Sequence, residues 1–225
     1  MTADPHGGAP AEHWLPATTH GRYLLEVPEG PGPFPLLMGF HGYGEAAEDL
    51  LAELRRIPGA EGWALCVVEA LHRFYNRRQQ TVVASWMTRR GRDQGIRDNI
   101  AYVGAVAARV REAVPVTGAT VFAGFSQGGA MACRAAALLE CPCGGLILLG
   151  SDVPRELPGE GLRRAAPVLL GRGDRDSWYT EEKMAADLRL LESLGVEAEE
   201  QVFAGGHEWT DAFRNACAAY LSQRC

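Results

Sequence analysis

The sequence predicts an α/β fold: a mainly parallel central sheet flanked by helices, in one domain and without a large lid domain. Three observations predict it. Short apolar runs alternate with longer stretches of helical period, as in successive βα units. Several of those runs are apolar without interruption, which suits strands covered on both faces. The 225 residues suffice for one sizeable core, and no stretch reads as a linker between two.

Taken in order, residues 1–20 are rich in Pro, Gly and Ala and are expected to be loosely ordered, with the domain running from 21 to 225. Candidate strands are "RYLLEV" (22–27), "FPLLMGF" (34–40), "WALCVVE" (63–69), "ATVFAGF" (119–125), "GLILLG" (145–150), "PVLLG" (167–171) and "EEQVFA" (199–204). Between them, "RDNIAYVGAVAARVREAV" (97–114) and "SQGGAMACRAAALLE" (126–140) read as Ala-rich helices. In "EEKMAADLRLLESLG", Met184, Leu188, Leu191 and Leu194 share one helical face, and Gly195 follows as a C-terminal cap. The segment 72–96 shows no period and is expected to be a long loop over the sheet's edge.

Composition excludes several classes. A net charge of −6 argues against nucleic acid, which demands a concentrated positive face. The one basic cluster, "RFYNRR" (73–78), reads as a solvated loop, although Arg73, Arg77 and Arg78 could favour an anionic substrate. No apolar run approaches a membrane span and the sequence shows no charged-then-apolar leader, so no stable membrane insertion is expected. The six cysteines follow no framework pattern, which favours reduced thiols and a cytoplasmic location. Cys141-Pro-Cys143 lacks two further ligands nearby, so no metal site is expected.

Gly124-Phe125-Ser126-Gln127-Gly128 matches G-x-S-x-G, with a β-rich run before it and an Ala-rich helical run after it. A nucleophile elbow requires that strand–turn–helix setting. A serine hydroxyl is a weak nucleophile until a base, itself held by a third group, takes its proton. Downstream of Ser126 stands a single histidine, His207, in a loop after a strand. The acid should follow another strand between them, and "PVLLGRGDRD" offers Asp174 and Asp176. Asp174 is favoured because it directly follows the Gly171-x-Gly173 turn, with Asp176 and Asp152 as alternatives. His41-Gly42-Tyr43-Gly44 after an early strand could supply a backbone N–H to an oxyanion hole, from Tyr43 first or Gly42 second. The N–H of Gln127 would be its partner. His41 itself reads as ordering the turn.

The same turn supports a competing reading. Gly42-Tyr43-Gly44-Glu45-Ala46-Ala47 is a G-x-G-x-x-A between a strand and a helix, and the next strand ends at Glu69. Alone, that pattern would suggest a dinucleotide-binding oxidoreductase. It leaves Ser126, Asp174 and His207 unexplained. A hydrolase-fold binding protein without turnover is the third reading.

The chain resembles the phospholipase/carboxylesterase family of small α/β-hydrolases, which includes acyl-protein thioesterases. The resemblance rests on H-G-x-G at 41–44, "SW" at 85–86, "AGFSQGGAMA" (123–132), "GRGD" (171–174) and "GGHEW" (205–209), and spans most of the chain. It implies the α/β-hydrolase fold and a serine esterase acting on a small-molecule ester, with thioesters or lysophospholipids as related substrates. It also implies Ser126 as nucleophile, Asp174 as acid, His207 as base, and Tyr43 and Gln127 as oxyanion donors. No metal or organic cofactor is implied. Trp86 is expected near the acyl or alcohol pocket, with Trp178 and Trp209 as further candidates, in a monomer or homodimer. One departure is "DRDSWYTEE" (174–182), where the family shows a hydrophobic residue followed by proline. That keeps Asp176 open as the acid.

Overall fold

In the computed structural model, which describes residues 11–76, 78 and 80–224, the chain runs through β1 (Tyr23–Glu26), β2 (Phe34–Phe40), α1 (Ala47–Arg55), β3 (Ala64–Val68), β4 (His72–Asn76), β5 (Thr81–Ser85), α2 (Arg92–Ala113), β6 (Val116–Phe125), α3 (Gln127–Leu138), β7 (Cys143–Leu149), α4 (Gly159–Arg164), β8 (Val168–Gly173), α5 (Glu181–Ser193), β9 (Ala198–Phe203) and α6 (Asp211–Ser222). The central sheet has seven strands in the order β1-β3-β2-β6-β7-β8-β9, parallel except for β1. All of its strands coincide with runs expected from the sequence. Residues 1–10, Arg77, Gln79 and Cys225 lie outside the described residues; 11–20 are exposed and carry no regular structure.

The uninterrupted apolar runs have a simple cause. Successive strand side chains point to opposite faces, so a strand covered on both sides has no position left for a polar residue. Leu36, Met38 and Phe40 of β2, Cys66 and Val68 of β3, and Leu146 and Leu148 of β7 pack on the face covered by α2, α3 and α5. Leu37, Leu65, Val67, Ile147 and Leu149 pack on the opposite face, under α1 and α6. The second strand lies at a switch point: β3 flanks it on one side and β6, reached through the other layer, on the other. In sheets of this kind the crevice outside the carboxyl ends at such a point is where ligands bind.

Residues 72–96 correct the expected loop. They form an antiparallel hairpin, β4–β5, followed by the first turn of α2, which starts at Arg92 rather than 97. The hairpin escapes a search for apolar runs because most of its residues are exposed. It is anchored through its edge instead. Ala84 bridges to Glu45, with Gly44 N–H donating to Ala84 O and Ala84 N–H to Glu45 O, both at 2.9 Å.

The tightest crossing lies where β6 turns into α3. A Cβ on Gly128 would overlap the carbonyl oxygens of Phe40 and His41 at the end of β2. Backbone cannot retreat there without breaking the sheet. We therefore expect Gly128→Ala to lower the unfolding free energy by about 3 kcal/mol or more, or to prevent folding. Urea denaturation checks this; a loss below about 1 kcal/mol would contradict the crossing.

Candidate active site

Ser126 occupies the turn between β6 and α3 with φ 52° and ψ −122°, a conformation that L-residues avoid. Holding it costs of order 1–3 kcal/mol and needs an over-determined surrounding. Ser126 N–H donates to Leu149 O at 2.8 Å, and Gly129 N–H returns to Ser126 O at 3.0 Å. The serine hydroxyl has no hydrogen-bond partner among the described residues, and Gln127, the first residue of α3, leaves its backbone N–H unpaired there too.

The Gln127 side chain does different work. Its Oε1 accepts from Trp86 N–H (2.9 Å) and Ser85 Oγ (3.3 Å), and its Nε2 donates to Met87 O (3.0 Å). These bonds tie the elbow to the strand leaving the hairpin. The backbone N–H of the same residue stays free to face a ligand.

His207 lies beyond β9, its ring 4.9 Å from that of Phe125, the residue before the serine. A Cβ on Gly150, at the end of β7, would meet the same ring at 2.7 Å. Its Nδ1 lies 2.7 Å from Asp176 Oδ2. Ser126 and the His207–Asp176 pair thus lie beyond the carboxyl ends of β6, β9 and β8 of one sheet.

The carboxylate bonded to the imidazole is Asp176 rather than the expected Asp174. Asp174 turns away from the imidazole: its Oδ1 accepts from Gly205 N–H at 2.9 Å and its side chain is 48% exposed. The Asp176 side chain, two residues on, is 1% exposed and also accepts from Trp178 N–H (2.8 Å) and Tyr179 N–H (2.9 Å) through Oδ1. Burial pushes its carboxyl up, but the Tyr179 N–H, the His207 ring and the Trp178 N–H outweigh that and leave it below the usual carboxylate range. An ionised carboxylate only accepts, so Nδ1 carries a ring proton. Asp152, the third candidate, lies 3.5 Å from Lys183 Nζ at the surface.

The early turn sorts its two candidate donors. Gly42 N–H is spent on Glu45 Oε2 at 2.6 Å, whereas Tyr43 N–H has no partner among the described residues. Sequence reasoning missed Glu45 as the residue that closes this turn; burial raises its carboxyl, against the lowering effect of the Gly42 N–H. His41 is fully buried and orders the turn from behind. Ala70 N–H donates to its Nε2 (3.1 Å), so its Nδ1–H donates to Gly42 O (2.7 Å).

Trp86 departs from the pocket expectation. Trp86 is 0% exposed and donates Nε1–H to His41 O at 2.8 Å, so it braces the turn and lines no open pocket. Trp209 packs on Phe213 of α6 with ring centroids 5.5 Å apart. Trp178, two residues after Asp176, is 74% exposed. The Tyr43 ring is exposed too and packs on Phe74 of the hairpin at 5.6 Å.

The groups of the dinucleotide reading are committed elsewhere. Asp49 Oδ2 accepts Ala46 N–H (2.7 Å) at the start of α1, placing a carboxylate where a pyrophosphate would sit. Glu69 is buried and paired with Arg22 (2.7 Å) and Arg73 (3.2 Å). No helix among the described residues is long and apolar enough to cross a membrane.

No protein-family profile matches the chain, and no curated protein matches its sequence. Solved structures do match its shape. The esterase PE8 superposes with a TM-score of 0.74 at 21% identity, covering 91% of this chain and 99% of that one. Acyl-protein thioesterase 2 of Zea mays gives 0.71 at 16% identity, over 91% and 99% of the two chains. A carboxylesterase of Bacillus cereus gives 0.68 at 16% identity, over 91% and 95%. The chain has the α/β-hydrolase fold.

Burial lowers the pKa of His41 from its ordinary value of 6.5, a shift the Gly42 carbonyl only partly opposes. The unfolded chain therefore binds a proton before the folded one does, and stability is lost as pH falls below about 6.5. We expect the slope of unfolding free energy against pH below that value to be shallower in His41→Gln, by up to about 1.4 kcal/mol per pH unit. Urea titrations at several pH values measure it; parallel slopes would contradict a neutral buried ring.

Proposed function

We propose that the chain is a serine esterase that hydrolyses carboxylic esters through an acyl-enzyme intermediate, with Ser126, His207 and Asp176 as its triad. One observation carries the reading: a buried carboxylate bonded to Nδ1 of a histidine that packs against the elbow of a strained serine. The esterase and thioesterase structures that share the fold are consistent with it. Thioesters and lysophospholipids belong to the same acyl-transfer chemistry.

Ser126 Oγ attacks the ester carbonyl while His207 Nε2 takes its proton. Asp176 holds the ring in the Nδ1–H tautomer and stabilises the imidazolium that forms. Negative charge develops on the carbonyl oxygen, where the N–H groups of Tyr43 and Gln127 are the proposed donors. One such donor is worth roughly 3–4 kcal/mol in the transition state of comparable sites. The start of α3 adds a favourable field at the same place. His207 then gives its proton to the leaving alkoxide as the tetrahedral intermediate collapses to the acyl-enzyme. Water, deprotonated by His207, attacks that ester and releases the acid, and Oγ recovers its proton.

A fluorophosphonate should label the protein on the peptide carrying Ser126, and Ser126→Ala should abolish both labelling and turnover of p-nitrophenyl esters. Asp176→Asn should lower kcat by about 10⁴-fold, the scale of a triad aspartate replaced by asparagine. A folded sample that takes no label and turns over no ester would overturn the reading, and would favour a binding protein built on the same fold.

A further inference from the structure

We propose that Asp174 is a positioning residue whose carboxylate clasps the histidine loop and so holds His207 on Asp176; the inference rests on the triad reading above. The β8–β9 ladder ends at Gly173 opposite Phe203. Beyond it the two loops must still run together, because the acid lies three residues past Gly173 and the histidine four past Phe203. The chain continues the pairing without a strand. Asp174 N–H donates to Phe203 O at 2.8 Å, and Arg175 N–H donates to Gly205 O at 2.9 Å. The Gly205 N–H, which a third strand residue would have met with a carbonyl, is met by Asp174 Oδ1 at 2.9 Å. A side chain supplies the acceptor that the diverging backbone can no longer offer.

The approach is close. A Cβ on Gly173 would overlap the carbonyl oxygens of Gly205 and Gly206, so the acid loop lies directly against the histidine loop. The acid loop is itself fixed from below: buried Arg172 donates Nη1–H to Gly173 O at 2.9 Å, and Asp176 N–H donates to the same oxygen at 3.1 Å. The histidine loop carries its own stitch, Gly206 N–H to Glu208 Oε1 at 3.0 Å. Beside the Asp176–His207 pair, Asp174 joins these two ordered turns, two residues before the acid on one and two before the histidine on the other. Its other neighbour is Arg175 Nη1, an exposed ion pair at 3.5 Å, a class that contributes little. The Gly205 N–H is the main reason its carboxyl stays below the ordinary range.

The clasp and an acid differ in what they need. An acid must carry charge opposite the imidazolium, whereas a clasp needs only an oxygen that accepts. Asp174→Asn keeps that oxygen and Asp174→Ala removes it. The experiment measures kcat and KM for a p-nitrophenyl ester, together with the downfield Nδ1–H proton resonance of His207, in wild type, D174A, D174N and D176N. We expect D174A to lose about 10- to 100-fold in kcat with KM nearly unchanged, the scale of a small misplacement of a reacting group. D174N should recover at least tenfold of that loss if D174A falls near the larger figure, and return close to wild type otherwise. The resonance should weaken in D174A, persist in D174N and vanish in D176N.

Wild-type kcat and resonance in D174A would overturn the clasp, and so would equal losses in D174A and D174N. A loss of about 10⁴ in D174N with D176N active would make Asp174 the acid after all. The resonance requires no turnover. If the wild type hydrolyses no ester yet the signal weakens in D174A, persists in D174N and vanishes in D176N, the clasp stands and the esterase reading fails.

Discussion

Ser126 sits at a φ that its side chain disfavours, and it stays there because β6 and α3 cross the end of β2 at a distance only Cβ-free residues allow. Much of the site hangs from that crossing. The turn frees the Gln127 N–H by making it the first of α3, where no carbonyl precedes it in register. It also aims the Gln127 amide at residues 85–87, and the strand carrying those residues grips the Gly44–Glu45 edge of the early turn. Strain at one serine is therefore distributed over the sheet end, a hairpin and a second turn. The hairpin, which lies outside the central sheet, becomes part of the site's scaffold rather than an ornament on its rim.

Electrostatics impose a second constraint. The proposed oxyanion would develop among three carboxylates, in a chain of net charge −6. Each of the three is turned to an N–H donor. Glu45 meets Gly42, Asp174 meets Gly205, and Asp176 meets Trp178 and Tyr179 as well as the imidazole. Asp176 alone presents a buried oxygen to His207. Burial sharpens that interaction, since few waters compete for the ring proton.

The central sheet was legible because burial on two faces leaves a plain mark, an apolar run with no polar break. The strand-to-helix turn at Ser126 was legible for a different reason: a short motif sets its backbone geometry locally. The choice between Asp174 and Asp176 was not. Two aspartates two residues apart satisfy the same spacing rule, and what separates them is the turn at 176–179 that supplies two N–H groups and removes one carboxylate from water. The β4–β5 hairpin was illegible because its stability comes from edge hydrogen bonds to a distant turn, which no local pattern reports. Trp86 misled in a related way. An aromatic beside a site motif suggests a pocket wall, but its indole N–H serves the His41 carbonyl in the core.

The central claim is that the elbow and the early turn present two free backbone N–H groups to one oxygen bound at Ser126. A crystal structure of the protein after reaction with a fluorophosphonate tests it most directly. The account predicts phosphorus bonded to Ser126 Oγ, with the phosphoryl oxygen about 2.7–3.1 Å from the backbone nitrogens of both Tyr43 and Gln127. Phosphorus on another side chain, or a phosphoryl oxygen out of reach of both nitrogens, would contradict it.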